Sequence, residues 1–110
     1  MAQCIVENGV IIMYEVIYMK ADYEPWWQFD GWEEEVIERC EFADLAAATA
    51  HFDNLRKQYT QKYPKVAAKD GKFLAFWSHD EKEYCEACEE NLQMYHGLFI
   101  MNNGNVEKCF

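Results

Sequence analysis

Two cysteines three residues apart, Cys85 and Cys88, flanked by histidines at 79 and 96, have the types and spacing best suited to chemistry in this chain. Thiolate and imidazole are the ligands zinc prefers, and a structural zinc takes four of them. Cys85 and Cys88 supply half a set, and His96, His79 or Cys109 are the candidates to complete it. Tyr84, Cys88, Leu92 and Tyr95 recur at spacings of three and four, which predicts a helix over about 82–95. Eight residues of straight helix advance about 12 Å, too far for Cys88 and His96 to share one ion. A zinc site therefore requires a knuckle at Cys85–Cys88, with the helix starting only after it, or ligands from elsewhere. A second chemistry is a redox dithiol, since a C-x-x-C at a helix start has its thiol acidity raised by the dipole. Glu81, Glu83, Glu86, Glu89 and Glu90 crowd the pair and oppose thiolate formation. The third reading is plain packing, with one cysteine buried on the helix and the other half-exposed. Zinc is thus the single candidate cofactor, and otherwise none is expected.

The segment Glu24-Pro25-Trp26-Trp27-Gln28-Phe29-Asp30-Gly31-Trp32 concentrates large aromatics. Aromatics interleaved with bases can stack on single-stranded nucleic acid. Here the neighbours are Asp22, Glu24, Asp30 and Glu33, so the electrostatic half of that mechanism is missing. Trp26, Trp27, Phe29 and Trp32 read either as core over a sheet edge or as a protein-binding patch, since Trp and Tyr dominate binding hot spots. No catalytic set emerges: His51, His79 and His96 sit in no G-x-S-x-G, H-E-x-x-H, P-loop or G-x-G-x-x-G pattern.

The net charge of −10 repels phosphate backbones, which argues against a broad nucleic-acid face and against docking on anionic membranes. Acids dominate before Asp44 and after Phe73, and bases dominate the stretch between. No run approaches the ~18 apolar residues of a membrane span. The opening residues lack the basic and long apolar regions of a secretion signal. Cys4, Cys40, Cys85, Cys88 and Cys109 are therefore expected as free thiols in a reducing cytoplasm.

The elements that would position these residues follow from periodicity. Met13 to Met19 alternates, with Tyr14, Val16 and Tyr18 on one face, and reads as a strand ending near Asp22 before Pro25. Asp30-Gly31 is a turn signal, and Trp32 to Cys40 reads as a charged edge strand returning beside the first. Phe42, Leu45, Thr49, Phe52, Leu55, Tyr59 and Tyr63 form one stripe of a helix from about Ala43 to Tyr63, stopped by Pro64. AAKDGK is a turn, Phe73 to Trp77 a short strand, residues 82–95 the second helix and Leu98 to Met101 the last strand. The expectation is a single α+β domain over 13–110: a small two-layer sandwich, order β-β-α-β-α-β, with a mostly antiparallel sheet and two helices on one face.

Met13-Tyr14, Glu24-Pro25-Trp26-Trp27, Cys85-Glu86-Ala87-Cys88 and Tyr95-His96 together resemble the small Firmicutes proteins grouped as domain of unknown function 1033, with Tyr84 standing where that family has Trp. The resemblance covers roughly Met13 to Met101 and implies a bacterial cytoplasmic setting and no agreed activity. Residues 1–12 precede it. They read either as untranslated leader, because codons for Gly9 to Ile12 can spell a ribosome-binding sequence before Met13, or as an N-terminal extension whose apolar residues add a strand. The function expected is non-enzymatic: a protein-binding or regulatory module. The alternatives are a zinc or thiol protein on Cys85, Cys88 and His96, and an acidic mimic of nucleic acid that occupies a basic groove.

Overall fold

Strict alternation along Tyr14–Ala21 makes the first strand, β1, a two-faced element: Val16 and Tyr18 point one way, Ile17, Met19 and Ala21 the other. The computed structural model describes residues 14–110, and the expectations for residues 1–12 lie outside them. β2 (Val36–Phe42) pairs antiparallel with β1, and α1 (Leu45–Lys62) follows. β3 (Lys65–Lys69), β4 (Phe73–Trp77), β5 (Lys82–Cys85), β6 (Glu90–Gln93), β7 (Tyr95–Asn102) and β8 (Asn105–Glu107) complete the order. The main sheet runs β2-β1-β7-β4-β3, with β8 pairing β7, and the pairings are antiparallel. The chain is thus α+β with an antiparallel sheet, as its patterning predicts.

α1 covers one face. Asp44 caps it by accepting from the Ala47 N–H at 2.8 Å, and Tyr63 ends it before Pro64. Its stripe of Ala48, Phe52, Leu55, Tyr59 and Tyr63 packs on Val16, Cys40, Leu74, Phe76, Leu98 and Ile100. The other face is covered by irregular chain. Between β1 and β2 the backbone makes two 3-10 turns, Pro25–Trp27 and Trp32–Glu35. These lay Trp26 and Trp32 on Ile17, Met19, Phe73 and Phe99. Both faces of the central strands are therefore sealed, which accounts for the unbroken apolar run Leu98-Phe99-Ile100, buried throughout.

Three expectations are corrected. Among the described residues there is one α-helix, not two, so the order β-β-α-β-α-β does not hold: residues 82–93 form the β5–β6 hairpin, a separate two-stranded sheet. As a helix this segment would stack Glu83, Glu86, Glu89 and Glu90 at spacings of three and four, where like charges repel. In the hairpin all four are exposed to solvent. The apparent helical stripe also fails as a buried face, because Tyr84 and Cys88 are exposed. Second, the strand expected from Trp32 begins at Val36, since the aromatic segment is needed across the sheet. Third, only the second half of AAKDGK is a turn: Ala67 to Lys69 belong to β3, and Asp70-Gly71-Lys72 make the turn to β4.

Gly97 fixes how closely the aromatic segment seats. A Cβ there would lie 2.6 Å from Pro25 Cβ and 2.9 Å from Met19 Cγ. Gly97→Ala is expected to cost about 1–3 kcal/mol, because Pro25 must lift from the strand. Urea unfolding measures it, and a loss below about 0.5 kcal/mol would show that the segment shifts freely.

Candidate functional site

The aromatic segment divides into an anchored half and a presented half. Trp32 meets the Phe99 ring edge-on at 5.6 Å, and Pro25 is buried. Trp27 and Phe29 point away from the sheet at 57% and 53% exposure. They stack on one another, centroids 6.1 Å apart and planes 2° from parallel. Tyr23 supports them, meeting Phe29 edge-on at 4.9 Å. Partial burial, and after it the charges of Glu35, Asp22 and Glu33, raise the Tyr23 phenol above its ordinary range. Those three carboxylates therefore act on the Tyr23 phenol that supports the stack, and all three are exposed. The platform is an exposed apolar surface with acidic residues near its supporting Tyr23. A cavity of about 180 Å³ opens beside Trp32, between Glu33 and the Glu15–Arg39 ion pair at 3.3 Å.

His96, expected as a metal ligand, lies elsewhere. It sits on the helix face of β7 at 4% exposure. Tyr18 Oη lies 2.6 Å from its Nδ1, and Glu81 Oε1 lies 2.7 Å from its Nε2. The Tyr63 ring stacks over it at 4.4 Å. Burial, then Tyr63, Tyr59 and Glu81, push the Tyr18 phenol far above its ordinary range, so it stays protonated. The arrangement that satisfies every atom has Tyr18 donating to Nδ1 and the Nε2–H donating to Glu81. Glu81 is also 3.5 Å from Lys20, which reaches Glu83 at 2.7 Å. The cluster ties β1, β7 and the hairpin stem together. Gln93 reinforces that stem through Nε2, which donates to the Ser78 and Glu81 carbonyls at 2.8 and 3.0 Å. That Tyr18, Glu81 and Tyr63 meet at His96 carried no sequence signal, because segments far apart in the chain bring them together.

Cys85 and Cys88 stand at the hairpin tip with their sulfurs 2.7 Å apart. The Cys88 N–H donates to Cys85 Sγ at 3.3 Å, the knuckle contact. Both nitrogens of His96 are occupied by Tyr18 and Glu81, and His79 lies on an exposed turn. Among the described residues the metal-type grouping is Glu38, Cys40 and His51, with ligand atoms within 4.8 Å of one another. Cys40 is disulfide-bonded, which corrects the expectation of free thiols throughout and leaves it no thiolate to offer an ion. Cys85, Cys88 and Cys109 are free.

His51 gives the fold an acid sensitivity. Burial lowers its imidazole pKa below the ordinary range, against a smaller opposite pull from Glu38. The unfolded chain then takes the proton first as pH falls below about 6.5, and stability declines. At Glu81, burial raises the carboxyl pKa, but His96 and Lys20 outweigh it and the net shift is downward. That contribution is present above the ordinary carboxylate range of about 4.5 and is lost as pH falls through the folded-state value. Urea midpoints should therefore fall in two steps between pH 7.5 and pH 3.5, and His51→Gln should remove the upper one. A flat wild-type midpoint from pH 7.5 to 5.5 would contradict this account of His51.

These features define a small α+β protein whose antiparallel sheet carries one helix on one face and an aromatic platform on the other. The chain belongs to the family described as Protein of unknown function (DUF1033), whose model matches residues 13–108. No curated protein and no solved structure matches the chain. Among the described residues, no helix is long and apolar enough to cross a membrane.

Proposed function

We propose that this chain is a non-enzymatic protein-binding module, and that its platform of Trp27 and Phe29 receives a cationic, lysine- or arginine-bearing segment of a partner protein. The observation that carries the reading is the exposed, parallel Trp27–Phe29 stack, supported by Tyr23, whose phenol feels the carboxylates of Glu35, Asp22 and Glu33. A chain with 51% hydrophobic residues has many ways to bury a Trp, and this one spends Pro25, Gly97 and Phe99 on fixing a segment that leaves two rings outside. Fixed aromatics lose little entropy on binding, which is why they dominate hot spots. A Trp face attracts ammonium and guanidinium groups by about 0.5–2 kcal/mol. Asp22, Glu33 and Glu35 add steering that favours cations over anions.

Titration with a lysine- and arginine-rich peptide, followed by tryptophan fluorescence at low salt, tests the reading. The expected result is saturable binding that a matched acidic peptide does not show. Trp27→Ala should weaken it at least about tenfold while leaving the urea midpoint in place. Equal binding by wild type and Trp27→Ala would overturn the role given to the platform.

A further inference from the structure

We propose that Cys85 and Cys88 form a dithiol–disulfide couple, a modification site at the tip of the β5–β6 hairpin that exchanges two electrons with small cationic disulfides. The proposal stands on geometry. The sulfurs are 2.7 Å apart, against about 2.05 Å in a disulfide, so closing the bond needs only a small movement. The Cys88 N–H already points at Cys85 Sγ, and Glu89 takes the left-handed conformation, φ 54°, that folds the tip over. Cys88 is exposed in the tip turn and Cys85 partly so at the end of β5, and both belong to a hairpin separate from the main sheet. Cys109 provides the internal contrast. It is half-buried, and burial pushes its thiol up to about 11.

The reaction balances as two exchanges. The Cys88 thiolate attacks one sulfur of the small disulfide, that S–S bond breaks, and the first small thiol leaves. The Cys85 thiolate then attacks the Cys88 sulfur and expels the second. Two electrons and two protons pass from the protein to the small disulfide, which ends as two thiols. The surroundings set the substrate class. Glu83, Glu86, Glu89 and Glu90 are exposed on the hairpin, and the Cys88 thiol feels both Glu90 and Asp22. A negative tip repels anionic disulfides and concentrates cationic ones. The Cys85 hydrogen bond, then slight burial and these charges, raise the Cys88 thiol above its ordinary value. Exchange is accordingly slow at neutral pH and accelerates about tenfold per pH unit below that value.

The test exposes the full-length protein, reduced at its free thiols, to cystamine or to oxidised glutathione and reads intact mass and rate. The expected product has lost two hydrogens, forms in Cys109→Ser, and does not form in Cys85→Ser or Cys88→Ser. Cystamine should react at least about tenfold faster than oxidised glutathione at low salt. That ratio should shrink in about 0.5 M salt, where the Debye length is roughly half its physiological value, and in Glu86→Gln/Glu89→Gln/Glu90→Gln. A mixed disulfide that persists on Cys88, oxidation that requires Cys109, or thiols held unreactive by a bound metal ion would each overturn the proposal. A rate ratio unchanged by the three glutamine substitutions would overturn the substrate class.

Discussion

Phe99→Ala is expected to remove about 3–5 kcal/mol of stability, the largest effect of any single truncation considered for this fold. Phe99 is fully buried at the middle of β7, the strand that pairs with β1, β4 and β8. On the platform face it meets Phe73 at 5.3 Å and Trp32 at 5.6 Å. Removing the ring opens a cavity between a sheet that cannot collapse and a segment pinned by Pro25 against Gly97. The cavity and the lost transfer energy therefore add. Urea unfolding measures the loss, and near-ultraviolet circular dichroism should show Trp32 released from its asymmetric setting. Trp27→Ala, on the presented half of the same segment, should stay within about 0.5 kcal/mol of wild type. A Phe99→Ala loss below about 1 kcal/mol would mean that the platform face contributes little to the fold.

His96→Ala is expected to cost about 3 kcal/mol by a different route. It deletes the bonds to Tyr18 and Glu81 together with the Tyr63 stacking contact. It also leaves the Glu81 carboxylate and the Tyr18 hydroxyl short of partners in a partly buried place, which is the costly half of losing a hydrogen bond. The damage should be local first. Amides of the β5–β6 hairpin should exchange faster well before global unfolding, because Glu81 and Gln93 hold its stem. His96→Phe should recover ring packing and part of the stability but not the protection of the hairpin. Unchanged hairpin exchange in His96→Ala would contradict the clamp.

What the sequence disclosed and what it hid follow from the range of the interactions. β1 and α1 were legible because their burial patterns have clean periods: alternation in Tyr14–Ala21, and the Phe52, Leu55, Tyr59, Tyr63 stripe ended by Pro64; β7 was legible as a short apolar run, whereas β8 after it was not foreseen. The hairpin at residues 82–93 was not, because Tyr84, Cys88, Leu92 and Tyr95 imitate a helical period while the like-charge spacing of the glutamates speaks against one. The main-sheet face seen by Trp26 and Trp32 was hidden for another reason. A covering layer of irregular chain has no period to read, and its register depends on Pro25 meeting Gly97 across about seventy residues of sequence. The aromatic candidates Trp26, Trp27, Phe29 and Trp32 came from local composition. Their division into two anchored and two presented rings came only from tertiary contacts. The same holds for His96, whose partners Tyr18 and Glu81 are far apart in the chain.

The central claim is that Trp27 and Phe29 form the contact surface for a cationic partner segment. Its most direct measurement follows the indole N–H signals of the four tryptophans by nuclear magnetic resonance during titration with a lysine- and arginine-rich peptide. The account predicts that the Trp27 signal moves saturably, that the Trp26 and Trp32 signals move much less, and that the effect weakens as salt rises. Binding that leaves the Trp27 signal in place while other indoles shift would contradict it.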